Sequence, residues 1–377
     1  MNVKRLLLAL ILASSVPALW AAGATPVGRI DYVEGGVTIT RAGKSLGDPN
    51  PDDPLLSGDL VKTSSDGLLV IAMDKTTGMG GTITVKAKSA LYLKLDESKG
   101  EKRTQIDLLA GSVASKVKKL SGSPTMQVTT GGTVAGVRGT EFEVAISVNE
   151  AALVVCSEGE VSFGDGKEEF PVPAGKAAEK RPGERLRYLP VAVSSVRQFR
   201  EKWVADEVAA FRADPARALA SYEKRYAELS SSFNQAFDPF QKSEVLKKWM
   251  DEDRAGVKPR GLDPAVMREK KAIVGDLQKL RKILVIFERV YYRLDEIDGL
   301  VAGTSLERRE LRPGLTAGDF LRKVRDERDT LSRRVALFRY AELLYSFRNE
   351  GGTGMPGSSG GDDFFGSDED FFGSSDF

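Results

Sequence analysis

Val137-Arg138-Gly139-Thr140-Glu141-Phe142-Glu143-Val144 decides how the first half of this chain is read. From Thr140 to Val144 polar and apolar residues alternate, the period of a strand with one buried and one wet face. Gly139 lies between two apolar β runs, where a bulge or tight turn fits and a side chain would clash. Arg138 beside it is expected to pair with a carboxylate such as Glu158 or Glu160 and pin two strands together. The pattern continues outward. Thr82-Ile83-Thr84-Val85 alternates as cleanly, and Gly-Gly, Asp-Gly, Ser-Gly and Pro punctuate short apolar runs on either side. Candidate strands cover residues 28–33, 37–41, 60–63, 68–73, 82–86, 90–96, 104–110, 112–117, 126–130, 133–137, 141–146, 151–157, 161–163 and 176–179. So many short strands at regular spacing predict an all-β sandwich or roll.

Near residue 190 the period changes. Leu219, Tyr222, Tyr226, Leu229 and Phe233 recur at helical spacing. Ile273, Leu277, Leu280, Leu284, Phe287, Tyr291 and Leu294 hold a seam for about three heptads. Ile283, Val290 and Ile297 widen that stripe, which suits packing against more than one partner. Phe320, Val324, Leu331, Val335, Phe338 and Tyr345 mark another long helix. A Gly- and Pro-containing segment, residues 299–318, separates the last two. The expectation is an all-α, coiled-coil-like hairpin with helices over 196–212 and 215–233 packed onto it. Asp214-Pro215 and Asp263-Pro264 read as helix starts, with Asp at the N-cap and Pro first in the helix. The expected order is a leader (1–24), a β domain (25–190), a helical region (195–349) and a tail (350–377). The tail is mostly Gly, Ser and Asp, lacks the apolar content for a core and is expected to be disordered.

Composition narrows the chemistry. Of 377 residues, 41% are hydrophobic and 29% charged, as in soluble globular proteins. Lys and Arg number 55 against 54 Asp and Glu, a net charge of +1 that argues against a uniformly basic nucleic-acid binder. Histidine is absent. That excludes Ser-His-Asp and Cys-His arrangements, HExxH zinc sites and histidine-gated pH switches. A single cysteine, Cys156, excludes an intramolecular disulfide and a Cys-based structural zinc site. In the β run Leu153-Val154-Val155-Cys156 it is expected to be buried and inert. Gly43-Lys44-Ser45 is not a phosphate loop, because Thr38 stands where that pattern needs glycine. Asp48, Asp52, Asp53 and Asp59 match no established calcium loop and read as a solvated, proline-stiffened loop. No cofactor or metal is expected.

At the N-terminus, Lys4-Arg5, the apolar run 6–12 and the small-residue triplet Ala22-Gly23-Ala24 have the form of a secretory signal peptide. No second apolar span follows. The mature protein is expected to be exported, most simply to a periplasm, without stable membrane insertion.

The β region also carries specific phrases. Gly58-Asp59-Leu60-Val61-Lys62-Thr63 precedes Leu109-Ala110-Gly111-Ser112-Val113, then Val137 to Val144, then Val155-Cys156-Ser157-Glu158-Gly159-Glu160-Val161. In order and rough spacing these resemble the FecR domain, over about 150 residues. The resemblance implies a jelly-roll-like all-β module and carries over no catalytic residue. Within it Gly58, Asp59, Arg138, Gly139 and Thr140 are the candidate structural motif. The name-giving relatives are inner-membrane transducers with a cytoplasmic sigma-binding domain. Here only five residues precede the signal-like run and the helices follow the β region, so sigma regulation is not expected.

The strongest interaction signal lies in the tail. Asp362-Asp363-Phe364-Phe365-Gly366-Ser367 is echoed by Glu369-Asp370-Phe371-Phe372-Gly373-Ser374. Phe364, Phe365, Phe371 and Phe372, flanked by acids, suit docking into a basic-rimmed apolar groove, in cis or in trans. The charge balance supports this: residues 195–349 hold 32 Lys and Arg against 25 Asp and Glu, whereas 350–377 hold seven acids and no base. The functional expectation is an exported, non-enzymatic module that binds an envelope protein or polysaccharide, with self-association through the helices open to it. Two alternatives stand beside it: a transmembrane signalling regulator held by an uncleaved N-terminus, and a glycan hydrolase built on two carboxylates. N-terminal sequencing of the mature protein is expected to begin near residues 23–25. A start at Met1 would instead favour the anchored regulator.

Overall fold

The computed structural model describes residues 25–98, 101–119, 125–137, 139–191, 196–257 and 263–348. The signal-like segment, Arg138 and both Phe-Phe repeats lie outside the described residues. Among the described residues, a large N-terminal β region is followed by five α-helices.

Among the described residues, seventeen strands lie between Pro26 and Pro190. Their organiser is β9, Glu101–Lys119, a 19-residue strand. One sheet begins with β1 (Pro26–Glu34), flanked by β4 (Pro54–Leu56) and β6 (Leu68–Met73), and reaches β9 through β7 (Met79–Val85). Beyond β9 it continues through β12 (Glu141–Ile146), β13 (Ala152–Glu158), β16 (Lys176–Lys180) and β17 (Arg187–Pro190). The other sheet runs from β3 (Lys44–Ser45) through β2 (Val37–Arg41), β5 (Leu60–Thr63) and β8 (Ala90–Ser98) to β9. It goes on through β10 (Thr125–Thr129), β11 (Val134–Val137), β14 (Glu160–Gly164) and β15 (Glu169–Pro173). We call these the first and second sheets. All pairings are antiparallel except β9 with β10. The inner faces of both sheets share one core, which holds Ile30, Ile71, Val61, Leu93, Ile106, Phe142 and Val154. Cys156 is buried in it, as expected, and burial pushes its thiol pKa up.

The sequence reading divided residues 104–117 at Gly111, yet the strand is continuous. Residues up to Ala110 pair with β8, and residues from Gly111 onward pair with β12. An irregularity at Leu109 and the positive φ of Gly111 (79°) carry the chain across. The inward parity changes there: Ile106 and Leu108 face the core before the glycine, Val113 and Val117 after it. A strand that leaves one sheet for the opposite one must make that change, and a bulge supplies it. A Cβ on Gly111 would lie 2.3 Å from Ser89 Oγ and 2.5 Å from Lys88 O.

The helices are α1 (Val196–Ala213), α2 (Pro215–Phe240), α3 (Glu244–Arg254), α4 (Pro264–Val301) and α5 (Ala317–Ser346). Asp214 and Asp263 cap α2 and α4 as expected, their carboxylates accepting from Arg217 N and Ala265 N. Helix α2 runs past the expected end at 233 and through Pro239, because Phe233, Phe237 and Phe240 keep its buried stripe going. Helix α3 was not anticipated; Ser243 caps it, and Leu246 and Trp249 bury its inner face. The expected all-α hairpin needs correcting. Between α4 and α5 lie a short 3₁₀ turn and a two-stranded ribbon, β18 (Glu310–Arg312) with β19 (Leu315–Thr316). The helices do pack on one another, through Tyr226, Phe287 and Phe320 among others. They also cover the β region: α1 places Trp203 on the outer face of the first sheet, beside Leu153 and Val155, and α4 places Tyr292 on that of the second, beside Leu60, Tyr92 and Leu109.

Gly111→Val adds a β-branched side chain at positive φ and against backbone. It is expected to cost at least about 2 kcal/mol in urea unfolding. A variant as stable as the parent would show that the crossing does not depend on this residue.

A cleft between the second sheet and the helices

Alternation directs Thr38, Thr40, Lys62, Tyr92, Lys94 and Asp107 away from the sandwich core, since Ile39, Val61, Leu93 and Ile106 point into it. This face reads as wet in the sequence. Instead α4 and α5 lie across it, so its polar groups need protein partners.

They have them. The Tyr92 hydroxyl donates to Glu288 Oε1 at 2.6 Å, and Arg339 Nη2 donates to Glu288 Oε2 at 2.6 Å. The Arg339 guanidinium also stacks 4.7 Å above the Tyr92 ring. Arg339 Nη1 donates to Glu342 Oε2 at 3.0 Å, and Arg281 Nε to Glu342 Oε1 at 2.7 Å. A Tyr–Glu–Arg–Glu–Arg chain thus joins β8, α4 and α5. A second tie runs from Arg289 Nη2 to Asp107 Oδ1 on β9, at 3.1 Å. Lys94 lies 3.7 Å from the other Asp107 oxygen, and Thr129 donates to Asp107 at 3.2 Å. Burial alone would raise the pKa of Asp107 and of Glu342. Arg289 and Lys94 outweigh it for the first, Arg339 and Arg281 for the second, and both carboxyls are held below their usual range.

The β2–β3 hairpin completes the contact. Its two-residue turn, Ala42-Gly43, has φ of 46° and 79°, the pairing that matches strand twist in a type I′ hairpin. The tip touches α5 so closely that a Cβ on Gly43 would lie 2.3 Å from Ala336 Cα. Gly43-Lys44-Ser45 therefore serves as a turn against a helix.

Between these ties a cleft of about 300 Å³ remains. Thr38, Thr40 and Lys62 line its sheet side; Leu284, Phe287, Tyr291 and Val335 line its helix side. Lys62 stands out. Its ammonium sits 5.1 Å over the Tyr292 ring. Burial lowers its pKa, offset in part by Asp295. Asp295 is itself bonded to Arg328, and among the described residues no carboxylate comes within ion-pair distance of Lys62.

Of the motif residues singled out in the sequence, Gly58 lines this cleft, with φ of 95° and its N–H donating to Leu93 O at 2.7 Å. Asp59 is fully buried. Arg41 Nε and Nη2 donate to its two oxygens at 2.8 and 2.7 Å, and Leu56 N donates to Oδ2 at 2.8 Å. The solvated-loop reading of the four aspartates is thus wrong for Asp59, which is an internal brace of the loop. Among the described residues no acidic cluster is arranged to hold a metal. Gly139 (φ 142°) and Thr140 lie elsewhere, just before β12; Thr140 is buried and its hydroxyl has no hydrogen-bond partner among the described residues. Gly58 and Asp59 thus lie apart from Gly139 and Thr140. The sequence reading missed Glu288 and Arg339. A signal existed for the first: Glu288 interrupts the buried stripe of α4 between Leu284 and Tyr291.

The comparisons bear on the β region. Residues 60–162 match the family model described as FecR protein. The chain carries a FecR domain. Two crystal structures described as an anti-sigma factor from Parabacteroides distasonis are similar to parts of the chain. They share 11% and 12% identity, with TM-scores of 0.31 and 0.25. The matches cover 36% and 43% of this chain, and 62% and 63% of those, a little under two thirds of their length. No curated protein matches the sequence. The FecR match takes in Leu60, Lys62 and Tyr92 of the sheet side of the cleft, whereas Thr38, Thr40 and Gly58 precede the matched residues.

A group whose folded pKa is depressed stabilises above its unfolded value and loses that contribution as pH falls through the folded one. The helix–sheet contact is therefore expected to hold at neutral pH and to loosen below about pH 4. Hydrogen exchange should show α4 and α5 losing protection before the first sheet does. Asp107→Ala, which removes the buried carboxylate that Arg289, Lys94 and Thr129 share, is expected to cost about 3–5 kcal/mol. Unchanged stability would show that the tie contributes little.

Proposed function

We propose that this protein is an exported, non-enzymatic interaction module of the cell envelope, in which the FecR domain and the helices together form the binding site. The observation that carries this is the cleft: a polar wall holding Lys62, which has no ion-pair partner among the described residues, faces an aromatic and aliphatic wall. Mostly apolar concavities with a few placed polar groups are the usual form of binding sites. The chemistry of the lining favours binding over hydrolysis. Glu288 is the one carboxylate lining the cleft among the described residues, and both its oxygens are engaged. A two-carboxylate glycosidase needs a second acid across the bond to be cut. The ligand of this reading is another envelope protein or a polysaccharide.

The FecR match favours a second reading equally, a signalling regulator of the envelope that the apolar N-terminal run anchors in the membrane. No helix of the described residues is long and apolar enough to cross a membrane, so such an anchor would fall to residues 1–24.

A photo-crosslinking side chain placed at Ser332, on the exposed rim of the cleft, tests the site. In intact envelopes it is expected to give a discrete intermolecular adduct that Lys62→Met removes. The same probe at Tyr188, 49% exposed and outside the cleft lining, should not give that adduct. Identical adducts from both positions would overturn the proposal.

A further inference from the structure

Resting on that reading of the cleft, the charges around it identify an occupant. Glu288 and Glu342 are balanced by Arg339 and Arg281, and Asp295 is engaged by Arg328. Among the described residues lining the cleft, Lys62 is the cation with no carboxylate at ion-pair distance. It is half-buried, so water solvates it incompletely, and its ammonium lies over the face of the Tyr292 ring. Leu284, Phe287, Leu331 and Val335 offer apolar surface within the same cavity. A ligand that satisfies both demands places a carboxylate next to a bulky apolar group. At about 300 Å³ the cleft lies at the small end of ligand sites, which suits one such unit and not an extended chain.

The chain itself contains that unit twice. In Asp363-Phe364-Phe365 and in Asp370-Phe371-Phe372 an acid immediately precedes paired rings. The reach is ample. Arg339, at the cleft, lies nine residues before Arg348, about 14 Å of helical rise. The 15 residues from Arg348 to Asp363 can span roughly 50 Å when extended. The charges agree in sign, since seven acids and no base in residues 350–377 face an excess of bases in residues 195–349.

We infer that one Asp-Phe-Phe unit of residues 362–372 docks in the cleft of its own chain, its carboxylate on Lys62 and a phenylalanine ring against the α4 and α5 side chains. Tethering makes this intramolecular, so even weak docking is favoured by effective concentration in the millimolar range. The second copy restores occupancy whenever the first leaves. An external ligand must then displace the tail, and the cleft is self-guarded.

A fluorescein-labelled peptide of residues 361–373, titrated by anisotropy into full-length protein, tests this. Four chains are compared: the parent, a variant with Phe364, Phe365, Phe371 and Phe372 all changed to Ala, and that variant with either Lys62→Met or Lys279→Met added. Circular dichroism establishes that all four are folded. The tail variant is expected to bind the peptide at least about tenfold more tightly than the parent, because it lacks the tethered competitor. Lys62→Met should weaken that binding by about tenfold, the effect of losing one paired charge in a partly buried site. Lys279→Met, on the exposed face of α4, should leave it unchanged. Equal binding to parent and tail variant would overturn the inference, as would equal effects of the two lysine changes. The crosslinking experiment at Ser332 separates this failure from that of the broader reading. A Lys62-dependent envelope adduct without peptide binding would overturn self-docking alone. Peptide binding without any such adduct would leave docking standing and remove the partner.

Discussion

The architecture turns on the burial of a polar sheet face. Helices α4 and α5 lie over Tyr92, Lys94, Asp107 and Lys62, groups that a two-layer sandwich would leave in water. Covering them carries a desolvation cost that hydrogen-bonded ion pairs must offset. The Tyr92–Glu288–Arg339–Glu342–Arg281 chain and the Arg289–Asp107 pair do so with geometry that a non-specific apolar contact would not need. Such a surface has few alternative arrangements. A one-turn slip of α4 would remove Glu288 from Tyr92 and Arg289 from Asp107 together. The register of the helices on the sheet is thereby specified, and with it the shape of the space between them.

That space follows from the residues that the ties leave out. Thr38 and Thr40 are too short to reach the helices, and Lys62 finds a ring in place of a carboxylate. Where the sheet presents large or paired groups, the helices sit down on it; where it presents threonine, a gap remains. The cleft is therefore set by side-chain length on β2 as much as by the helices. The close approach of Gly43 to Ala336 fixes its end wall.

Much of this fold was legible in the sequence, for identifiable reasons. Period-two alternation located the principal strands, and the Asp-Pro pairs located two helix starts, because both signals are local. The continuity of β9 was not legible. A glycine between two apolar runs reads as a break, and only pairing with different strands on either side shows that it is a crossing. The coverage of the second sheet was equally hidden, since Thr38, Thr40, Lys62 and Lys94 look like an ordinary wet face until distant helices are placed over them. Glu288, within an apolar stripe, was the one local hint that a buried polar partner existed. Asp59 illustrates the opposite error: among prolines and other aspartates it looks solvated, while Arg41 and the backbone of Leu56 hold it inside.

The sharing of β9 has a consequence for how the fold is assembled. Strands β1, β6 and β7 form one half-sheet, and β2, β5 and β8 form another, before residue 101 is reached. Each ends in an open edge whose next neighbour is β9. A single segment seals both edges and supplies the template for β12 and β10 on its far sides. The two sheets are thus committed by one event. Until it occurs, the first hundred residues carry two unpaired edges, the condition most prone to pairing with another chain. Once it has occurred, neither sheet can peel away without pulling on the other, and the sandwich gives way as a unit.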